Sequence, residues 1–294
     1  MPNPPSQLAI ITGAACGLGR AFCRQLIAAP GDWHIVAVDL DERGAEQTLA
    51  EVRRPGRVDG EFARLDVSDA DGWLELRRRL ERDWPRLDLL INNAGVCMSA
   101  EVGEGSLDSW RGIFEVNYFG VLNGCHTMAP WLKNPVTPRS SEGSGRPANA
   151  AIINIASIMG LLPAPALGAY SASKAAVIAF SESLYAELRA HGVNVTVAAP
   201  GFFHTSLLDN GVFASPRHRE QADEFVRTSR IDADAVARDA LRASRRGQLY
   251  VVTGSRARWY WRLKRTAPML LLDILSRRYR RRMEQRDGDA ESAD

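Results

Sequence analysis

A tyrosine and a lysine four residues apart have the types and spacing for acid–base chemistry. Tyr170 and Lys174 fall in a helical stretch, where this spacing places both on one face. A phenol titrates near pH ~10, too high for an effective base at neutral pH. An ammonium within about 4 Å stabilises the phenolate by up to ~4 kcal/mol at an effective dielectric constant of about 20, or roughly 3 pKa units. The pair therefore predicts proton exchange near neutrality, and the alternative is an exposed helix pair without function.

A glycine-rich turn near the start of the chain predicts a dinucleotide site. The first strand-like run ends at Thr12, and glycines follow at three positions before a helix begins. Glycine lets the backbone turn tightly and approach a pyrophosphate, whose charge meets the helix N-terminus. The spacing GxxxGxG departs from the common GxGxxG pattern, and such turns also serve purely structural purposes. The predicted contacts are Gly13, Cys16, Gly17, Leu18 and Gly19.

An acidic residue at the end of the second strand strengthens this prediction. Asp39 lies where a carboxylate can accept hydrogen bonds from both hydroxyls of a ribose. A 2′-phosphate beside it would meet like-charge repulsion, and neither Cys16 nor Leu40 supplies a compensating cation. Arg20 and Arg43 lie nearby, but we expect them on helix surfaces. We therefore predict NAD in preference to NADP.

Further polar residues fall at the ends of predicted strands. Ser157 follows the strand 150–155, so its hydroxyl is expected at the carboxyl edge of the sheet. The run NNAG at 92–95 ends the preceding strand with little bulk. Asn117 lies mid-helix, where an amide is a mediocre helix former and needs a specific partner. Taken singly, such residues are commonly caps or surface groups.

Taken together, these motifs resemble the short-chain dehydrogenase/reductase family. The similarity covers about residues 7–254, and the full set in order is specific although each motif alone is not. The matching positions are the TGxxxGxG run at 12–19, Asp66 with Val67, NNAG at 92–95, Asn117, Ser157, Tyr170 with Lys174 (YxxxK), and Pro200 with Gly201 followed by Thr205.

The resemblance implies a role for each matching residue. Tyr170 would be the general acid/base, Lys174 would lower its pKa and hold the nicotinamide ribose, and Ser157 would polarise the substrate oxygen. Asn117 would support a water-linked proton path to Lys174. A homodimer or homotetramer is implied as well. The remaining cofactor contacts would be Asp66 and Val67 at the adenine, Asn93 and Gly95 near the adenosine ribose, Thr205 at the nicotinamide carboxamide, and Ala94, Pro200 and Gly201.

A parallel sheet is needed to position these residues, and the chain alternates strand-like with helix-like stretches. Strands that are apolar on both faces predict a sheet covered on both sides, and right-handed crossovers make it a doubly wound, Rossmann-type α/β fold. Sites then lie at the carboxyl ends of the strands. The strands are predicted at 8–12, 34–39, 60–65, 87–92, 150–155, 193–199 and 249–253, and the helices at about 18–29, 41–52, 69–83, 107–132, 169–190 and 232–245.

One domain is expected over residues 1–254, followed by a basic extension at 255–294. Residues 134–149, rich in Pro, Ser and Gly, predict a surface insertion away from the ligands. Residues 201–230, the lid segment, leave the carboxyl end of a strand and predict a cover over the substrate. Apolar walls favour a lipophilic substrate, with His204 expected on the lid surface. The predicted walls are Val96, Cys97, 158–166, Phe202, Phe203, Leu207 and Leu208.

Composition excludes several protein classes. With 45% hydrophobic and 24% charged residues, the chain is neither disordered nor collagen-like. No apolar stretch approaches the roughly 18 residues of a membrane span, and the first residues lack the pattern of a secretory signal. Four cysteines without CxxC spacing and five histidines without an HExxH pair predict neither a disulfide framework nor a metal site. We expect a cytoplasmic protein.

The net charge of +2 conceals an uneven distribution. Residues 255–294 carry 11 basic and 6 acidic side chains, whereas residues 1–254 carry 26 basic and 29 acidic ones. Aromatic and basic residues beside a short apolar run are typical of peripheral membrane contact, here through 256–282. The same features fit a helix that packs against a partner subunit or over the active-site mouth. A loosely ordered tail is the third alternative. If this tail forms a single long helix, Pro268 predicts a break or kink in it. The acidic body argues against nucleic-acid binding.

Three functions follow from the sequence. The first is an NAD-dependent oxidoreductase that interconverts a lipophilic secondary alcohol and ketone. The second is a 3-oxoacyl-thioester reductase, which would more typically use NADPH, so cofactor preference distinguishes it. The third is a catalytically silent dinucleotide sensor on the same fold, which the presence of every motif residue disfavours.

Overall fold

Seven parallel strands form the central sheet of the computed structural model, which describes residues 7–133, 150–203, 206–229 and 231–291, with side chains to 281. Their order across the sheet is β3-β2-β1-β4-β6-β7-β9. Two further strands, β5 and β8, form a separate parallel pair. The strands are β1 (Gln7–Thr12), β2 (Trp33–Asp39), β3 (Val58–Arg64), β4 (Leu89–Asn92), β5 (Met98–Ser99), β6 (Ala151–Ile155), β7 (Asn194–Ala199), β8 (Val212–Phe213) and β9 (Tyr250–Val252).

Helices cover both faces of the sheet because successive strand residues point to opposite sides. Leu8 and Ile10 belong to a core packed with α3, α5 and α7. Ala9 and Ile11 belong to a second core packed with α1, α2 and α9. The helices are α1 (Gly17–Ile27), α2 (Glu42–Val52), α3 (Ala70–Leu80), α4 (Leu107–Phe114), α5 (Gly120–Leu132), α6 (Ile158–Leu161), α7 (Gly168–Arg189), α8 (Pro216–Arg227), α9 (Ala233–Arg245), α10 (Ser255–Thr266) and α11 (Pro268–Glu291).

The doubly wound single-domain fold predicted from the sequence is confirmed. All seven predicted strands are present, and the six predicted helices agree with the structure to within a few residues. The helical stretch 107–132 contains a π-helical segment, Glu115–Phe119, between α4 and α5. Sequence reasoning missed α6, α8 and the β5·β8 pair. The predicted insertion at 134–149 lies outside the described residues.

A chain of buried side-chain hydrogen bonds connects the middle of the sheet to α7. The Asn92 Nδ2 group donates to Asn154 Oδ1 at 2.9 Å, and Asn154 Nδ2 donates to Ser181 Oγ at 3.0 Å. All three residues are almost fully buried. Because buried polar groups require partners, these residues fix the register of β4, β6 and α7. The first asparagine of the NNAG run is therefore structural.

The C-terminal residues form two helices that pack on the body of the molecule. The break predicted at Pro268 is confirmed, because α10 ends at Thr266 and α11 begins at Pro268. Lys264 Nζ donates to the Leu161 carbonyl at 2.6 Å. Leu271 is only 3% exposed and belongs to the core.

Packing over the active-site mouth is thus the interpretation of the tail that the structure supports. Within the described parts of the chain, no helix is both long and apolar enough to cross a bilayer. Contact with a membrane surface, the assembly state and the domain limits remain predictions.

Candidate active site

One cavity of about 1680 Å³ contains almost all of the predicted site. This volume exceeds the roughly 300–1,000 Å³ of a typical small-molecule pocket, so it has room for two ligands. Gly19 and the fully buried Asn117 lie behind its wall. The predicted contact Thr205, and His204 beside it, lie outside the described residues. The predicted residues that line the cavity are Gly13, Cys16, Gly17, Leu18, Asp39, Asp66, Val67, Asn93, Ala94, Gly95, Ser157, Tyr170, Lys174, Pro200 and Gly201.

The glycine-rich turn is shaped for close backbone approach. Gly13 has a φ of +64°, and a Cβ there would lie 2.8 Å from Asn93 Nδ2. At Gly19, a Cβ would lie 1.9 Å from the Gly13 carbonyl oxygen. Side chains larger than hydrogen at either position would therefore disrupt the turn. The N-terminus of α1, beginning at Gly17, lines the cavity, as the charge of a pyrophosphate requires. The turn thus fits the dinucleotide predicted from the sequence.

The end of β4 holds the turn in place. Thr12 Oγ1 accepts hydrogen bonds from the backbone N–H groups of Asn93 and Ala94, both at 2.9 Å. The Asn93 side-chain amide donates to the carbonyls of Thr12 at 2.8 Å and Gly13 at 3.2 Å. Asn93 therefore positions the glycine turn with its side chain while lining the cavity.

Asp39 is oriented by three backbone N–H groups. Its Oδ2 accepts from Ala15 N at 2.8 Å, and its Oδ1 accepts from Leu40 N at 2.8 Å and Asp41 N at 3.0 Å. A carboxylate has about four acceptor positions, so one remains for a ribose hydroxyl. These bonds also hold the negative charge at the cavity wall.

The arginine nearest the turn is directed away from Asp39. Arg20 donates to the Ala15 carbonyl at 2.7 Å and to Thr48 Oγ1 at 3.0 Å, and it pairs with Glu51 at 3.4 Å. Arg43 is exposed and is not among the lining residues. Both observations agree with the expectation that these arginines belong to helix surfaces.

Ser157, Tyr170 and Lys174 are brought together at the carboxyl end of β6. Ser157 is the N-cap of α6, where its Oγ accepts from Met159 N at 3.1 Å. Its hydroxyl also forms a hydrogen bond with the Tyr170 phenol. Lys174 Nζ, one helical turn beyond Tyr170, donates to the Ile155 carbonyl at 3.0 Å. A cap, a helix face and a strand end therefore converge on one point.

Burial controls the protonation of this group. Desolvation raises the pKa of Tyr170 well above its usual value, and Cys97 adds to the rise, whereas the Ser157 hydrogen bond opposes it. Desolvation also lowers the pKa of Lys174 to about 8. The sequence predicted that Lys174 would lower the pKa of Tyr170. The cost of burying the phenolate dominates this pKa, and a lowering of it by Lys174 stays a prediction.

Asn117 lies in the π-helical segment and holds a neighbouring loop. Its Oδ1 accepts from Val96 N at 2.8 Å, while its Nδ2 donates to the Val96 carbonyl at 3.0 Å and Ser173 Oγ at 3.1 Å. A Cβ on Gly95 would lie 2.9 Å from Asn117 Oδ1 and 3.2 Å from Lys174 Nζ. Asn117 is therefore a positioning residue, and its part in a proton path to Lys174 stays a prediction.

The other end of the cavity is walled by the predicted apolar segments and by residues of three helices, α8, α10 and α11, that were not among the predicted walls. The β5·β8 pair attaches the lid segment to the wall, with Val212 N donating to the Cys97 carbonyl at 2.9 Å. Apolar residues at helical spacing in 218–226 and 271–278 were the available signal. The additional apolar wall residues are Ala222, Phe225, Val226, Tyr260, Leu271, Ile274 and Leu275.

Comparison with known proteins agrees with this geometry. A sequence model described as short chain dehydrogenase matches residues 7–212. The chain belongs to the short-chain dehydrogenase/reductase family. This is a family of oxidoreductases that bind NAD(P). Among the described residues, no group of three His, Cys, Asp or Glu is placed to hold a metal ion.

Three relatives place the chain within this family. The cyclopentanol dehydrogenase of Comamonas sp. is 31% identical over 201 residues, which are 68% of this chain and 74% of that protein. The crystal structure of a family member from Burkholderia phymatum in complex with NAD has 28% identity and a TM-score of 0.79, covering 90% of this chain and 95% of that one. An uncharacterized short-chain type dehydrogenase/reductase of Sinorhizobium fredii is 30% identical over 235 residues, 80% of this chain, but the chain spans only 37% of that protein's length.

Proposed function

We propose that the protein is an NAD-dependent oxidoreductase that interconverts a lipophilic secondary alcohol and the corresponding ketone, with Tyr170 as general acid/base. The observation that carries this proposal is the convergence of Ser157, Tyr170 and Lys174 in the same cavity as the glycine turn. The apolar walls at the far end of the cavity support a lipophilic substrate.

Each side chain has a defined part in the proton transfer. In ketone reduction, the protonated Tyr170 donates its hydroxyl proton to the substrate oxygen, while the Ser157 hydroxyl stabilises the charge on that oxygen. The bound nicotinamide supplies or accepts the hydride. In alcohol oxidation, Tyr170 must first lose its proton, and the Lys174 ammonium stabilises the phenolate. The raised pKa of Tyr170 keeps the phenol protonated at neutral pH, which is the state that ketone reduction requires.

The Tyr170→Phe variant tests this assignment. We expect kcat/KM to fall by about 10²–10⁴-fold, the range for loss of a general acid, while the dissociation constant for the dinucleotide changes little. Tyr185→Phe, at a half-buried position of the same helix that does not line the cavity, is the matched control. Near-native turnover of Tyr170→Phe would remove this residue from the mechanism.

Preference for NAD over NADP is supported by the charges around Asp39. Its carboxylate is held by three N–H groups. The lining residues within 38–41 and 65–67 add the carboxylates of Asp41 and Asp66 and include no cation. A 2′-phosphate about 4 Å from Asp39 would lose roughly 1–4 kcal/mol to repulsion. Fluorescence titration is expected to show tighter binding of NAD, and equal dissociation constants would contradict the preference.

The 3-oxoacyl-thioester reductase remains the alternative, and cofactor choice distinguishes it. Initial rates with both dinucleotides against secondary alcohols, steroids and hydroxyacyl thioesters decide between the two. NADPH-dependent reduction restricted to thioesters would favour the alternative.

A further inference from the structure

Charged residues lining the cavity are separated into two groups of opposite sign. The carboxylates belong to Asp39, Asp41 and Asp66, all at the end that contains the glycine turn. The arginines line the other end and come from the lid segment and the C-terminal helices. These are Arg217, Arg256, Arg278 and Arg281. The charged side chains described along the substrate end of the cavity are therefore basic, although its inner walls are apolar.

One face of α11 shows this arrangement most clearly. Leu271, Ile274 and Leu275 line the cavity in the first turns of the helix, and Arg278 and Arg281 line it further along. Spacings of three and four residues place all five on one side of the helix. The same face thus changes from apolar to cationic along its length, as the binding surface of an amphipathic molecule would.

Contacts at both ends hold this face over the cavity. Leu271 is buried in the core, and the Tyr279 hydroxyl donates to a Glu101 carboxylate oxygen. Two carboxylates near this face, those of Glu101 and Glu104, have other partners. Glu104 Oε2 accepts from Glu101 N at 2.9 Å and lies 3.9 Å from His218 Nδ1, and neither glutamate is among the lining residues.

We propose that the substrate is amphipathic: an apolar body bears the reacting alcohol or ketone, and a carboxylate or phosphate at its far end binds Arg278 and Arg281. Arg217 lines the cavity on α8 and adds to the positive charge there. Guanidinium groups match both anions because their N–H donors form paired hydrogen bonds with two oxygens. The proposal rests on the proposed function, since it identifies the substrate class of the same site.

Matched substrates test the proposal. Dodecan-2-ol and 11-hydroxydodecanoate have the same chain and the same secondary alcohol but differ in a terminal carboxylate. We expect the Arg278→Gln/Arg281→Gln variant to raise KM for the hydroxy acid about tenfold, with kcat and the KM for dodecan-2-ol within about twofold of wild type. Arg277→Gln/Arg280→Gln is the control, because it makes the same charge change at exposed positions outside the cavity. It should leave kcat and the KM for both substrates unchanged.

A third substrate, 3-hydroxydodecanoyl-coenzyme A, distinguishes the sources of the anion. If Arg278→Gln/Arg281→Gln raises KM only for the thioester, the bound anion is a phosphate. If it raises KM only for the hydroxy acid, the bound anion is a carboxylate. Either result supports the proposal. An equal rise in KM for the charged and the neutral substrates in Arg278→Gln/Arg281→Gln would overturn the proposal. An equal rise in KM in both double variants would overturn it as well. Weaker dinucleotide binding by Arg278→Gln/Arg281→Gln would also overturn it, because the arginines would then serve the cofactor.

Calorimetric titration with dodecanoate separates this proposal from the proposed function. If none of the three substrates is oxidised with either dinucleotide, the proposed function fails. Dodecanoate binding that is about tenfold weaker in Arg278→Gln/Arg281→Gln than in the control still supports the anion site. Equal binding by wild type and both double variants contradicts it.

Discussion

Replacing Lys174 with methionine tests how strongly burial acts on this lysine. Its side chain is enclosed, and Nζ donates to one backbone carbonyl, that of Ile155 at 3.0 Å. Burial lowers its pKa from 10.5 to about 8 in the folded protein. The unfolded chain therefore binds more protons than the folded one between these two pH values. Consequently, the lysine destabilises the folded state fully below about pH 8, and this destabilisation disappears as the pH rises towards 10.5.

The size of the effect follows from the shift in pKa. One unit corresponds to about 1.36 kcal/mol, so the destabilisation is about 3 kcal/mol at pH 7 and under about 1 kcal/mol at pH 10. Lys174→Met lacks this titration and keeps a side chain of similar length. We expect its free energy of unfolding, relative to that of wild type, to be about 2 kcal/mol larger at pH 7 than at pH 10. Catalytic activity should be lost at both values.

Urea unfolding followed by tryptophan fluorescence at the two pH values measures this difference. Lys264→Met is the control, because Lys264 Nζ also donates to a backbone carbonyl, that of Leu161, but its side chain is only half-buried. Groups that titrate in all three proteins cancel in the comparison. A gap between wild type and Lys174→Met that does not change with pH, or an equal pH-dependent gap for Lys264→Met, would refute the reasoning.

Three further predictions concern packing and access. Gly95→Ala should reduce kcat by at least about tenfold in steady-state assays, because its Cβ would press on Asn117 Oδ1 at 2.9 Å. Trp73→Ala should lower the free energy of unfolding by about 3–5 kcal/mol in urea titrations, since Trp73 is fully buried, whereas the exposed Trp259→Ala should change it by less than about 0.5 kcal/mol. Iodoacetamide at pH 7.5 should label the exposed Cys16, and bound NAD should block this labelling, as measured by mass spectrometry. The other three thiols should not react, because burial raises their pKa to about 11 or 12.

The sheet and the dinucleotide end of the cavity were predictable because their signals are local. Most strands of the sheet are short apolar runs, and the glycines, Asp39 and the polar residues of the site lie at or just after strand ends. A parallel sheet brings all such ends to one edge, so sequence position alone predicts proximity. The shared helical face of Tyr170 and Lys174 was also predictable, since both residues lie within one turn of α7.

The protonation of that pair was not predictable from spacing. A Coulomb estimate between two charges gave a lower pKa for Tyr170, but it omitted the cost of removing the phenolate from water. That cost arises from burial in the folded chain, while Cys97 raises the pKa further and the Ser157 hydrogen bond lowers it. The net shift in the pKa of Tyr170 is therefore upward, and the contribution of Lys174 stays a prediction. The position of Asn117 behind the cavity wall was also not predictable from local sequence. Its hydrogen-bond partners Val96 and Ser173 belong to other parts of the fold.

The C-terminal helices were ambiguous in sequence for a related reason. An amphipathic stripe such as Leu271, Ile274 and Leu275 fits a membrane surface, a second subunit or the molecule's own pocket equally well. The contacts that favour the molecule's own pocket join residues far apart in the chain: Lys264 with Leu161, and Tyr279 with Glu101. The family match ends at residue 212, whereas much of the substrate end of the cavity is built from residues 217–281. Specificity is therefore expected to reside in the part of the chain beyond the family match.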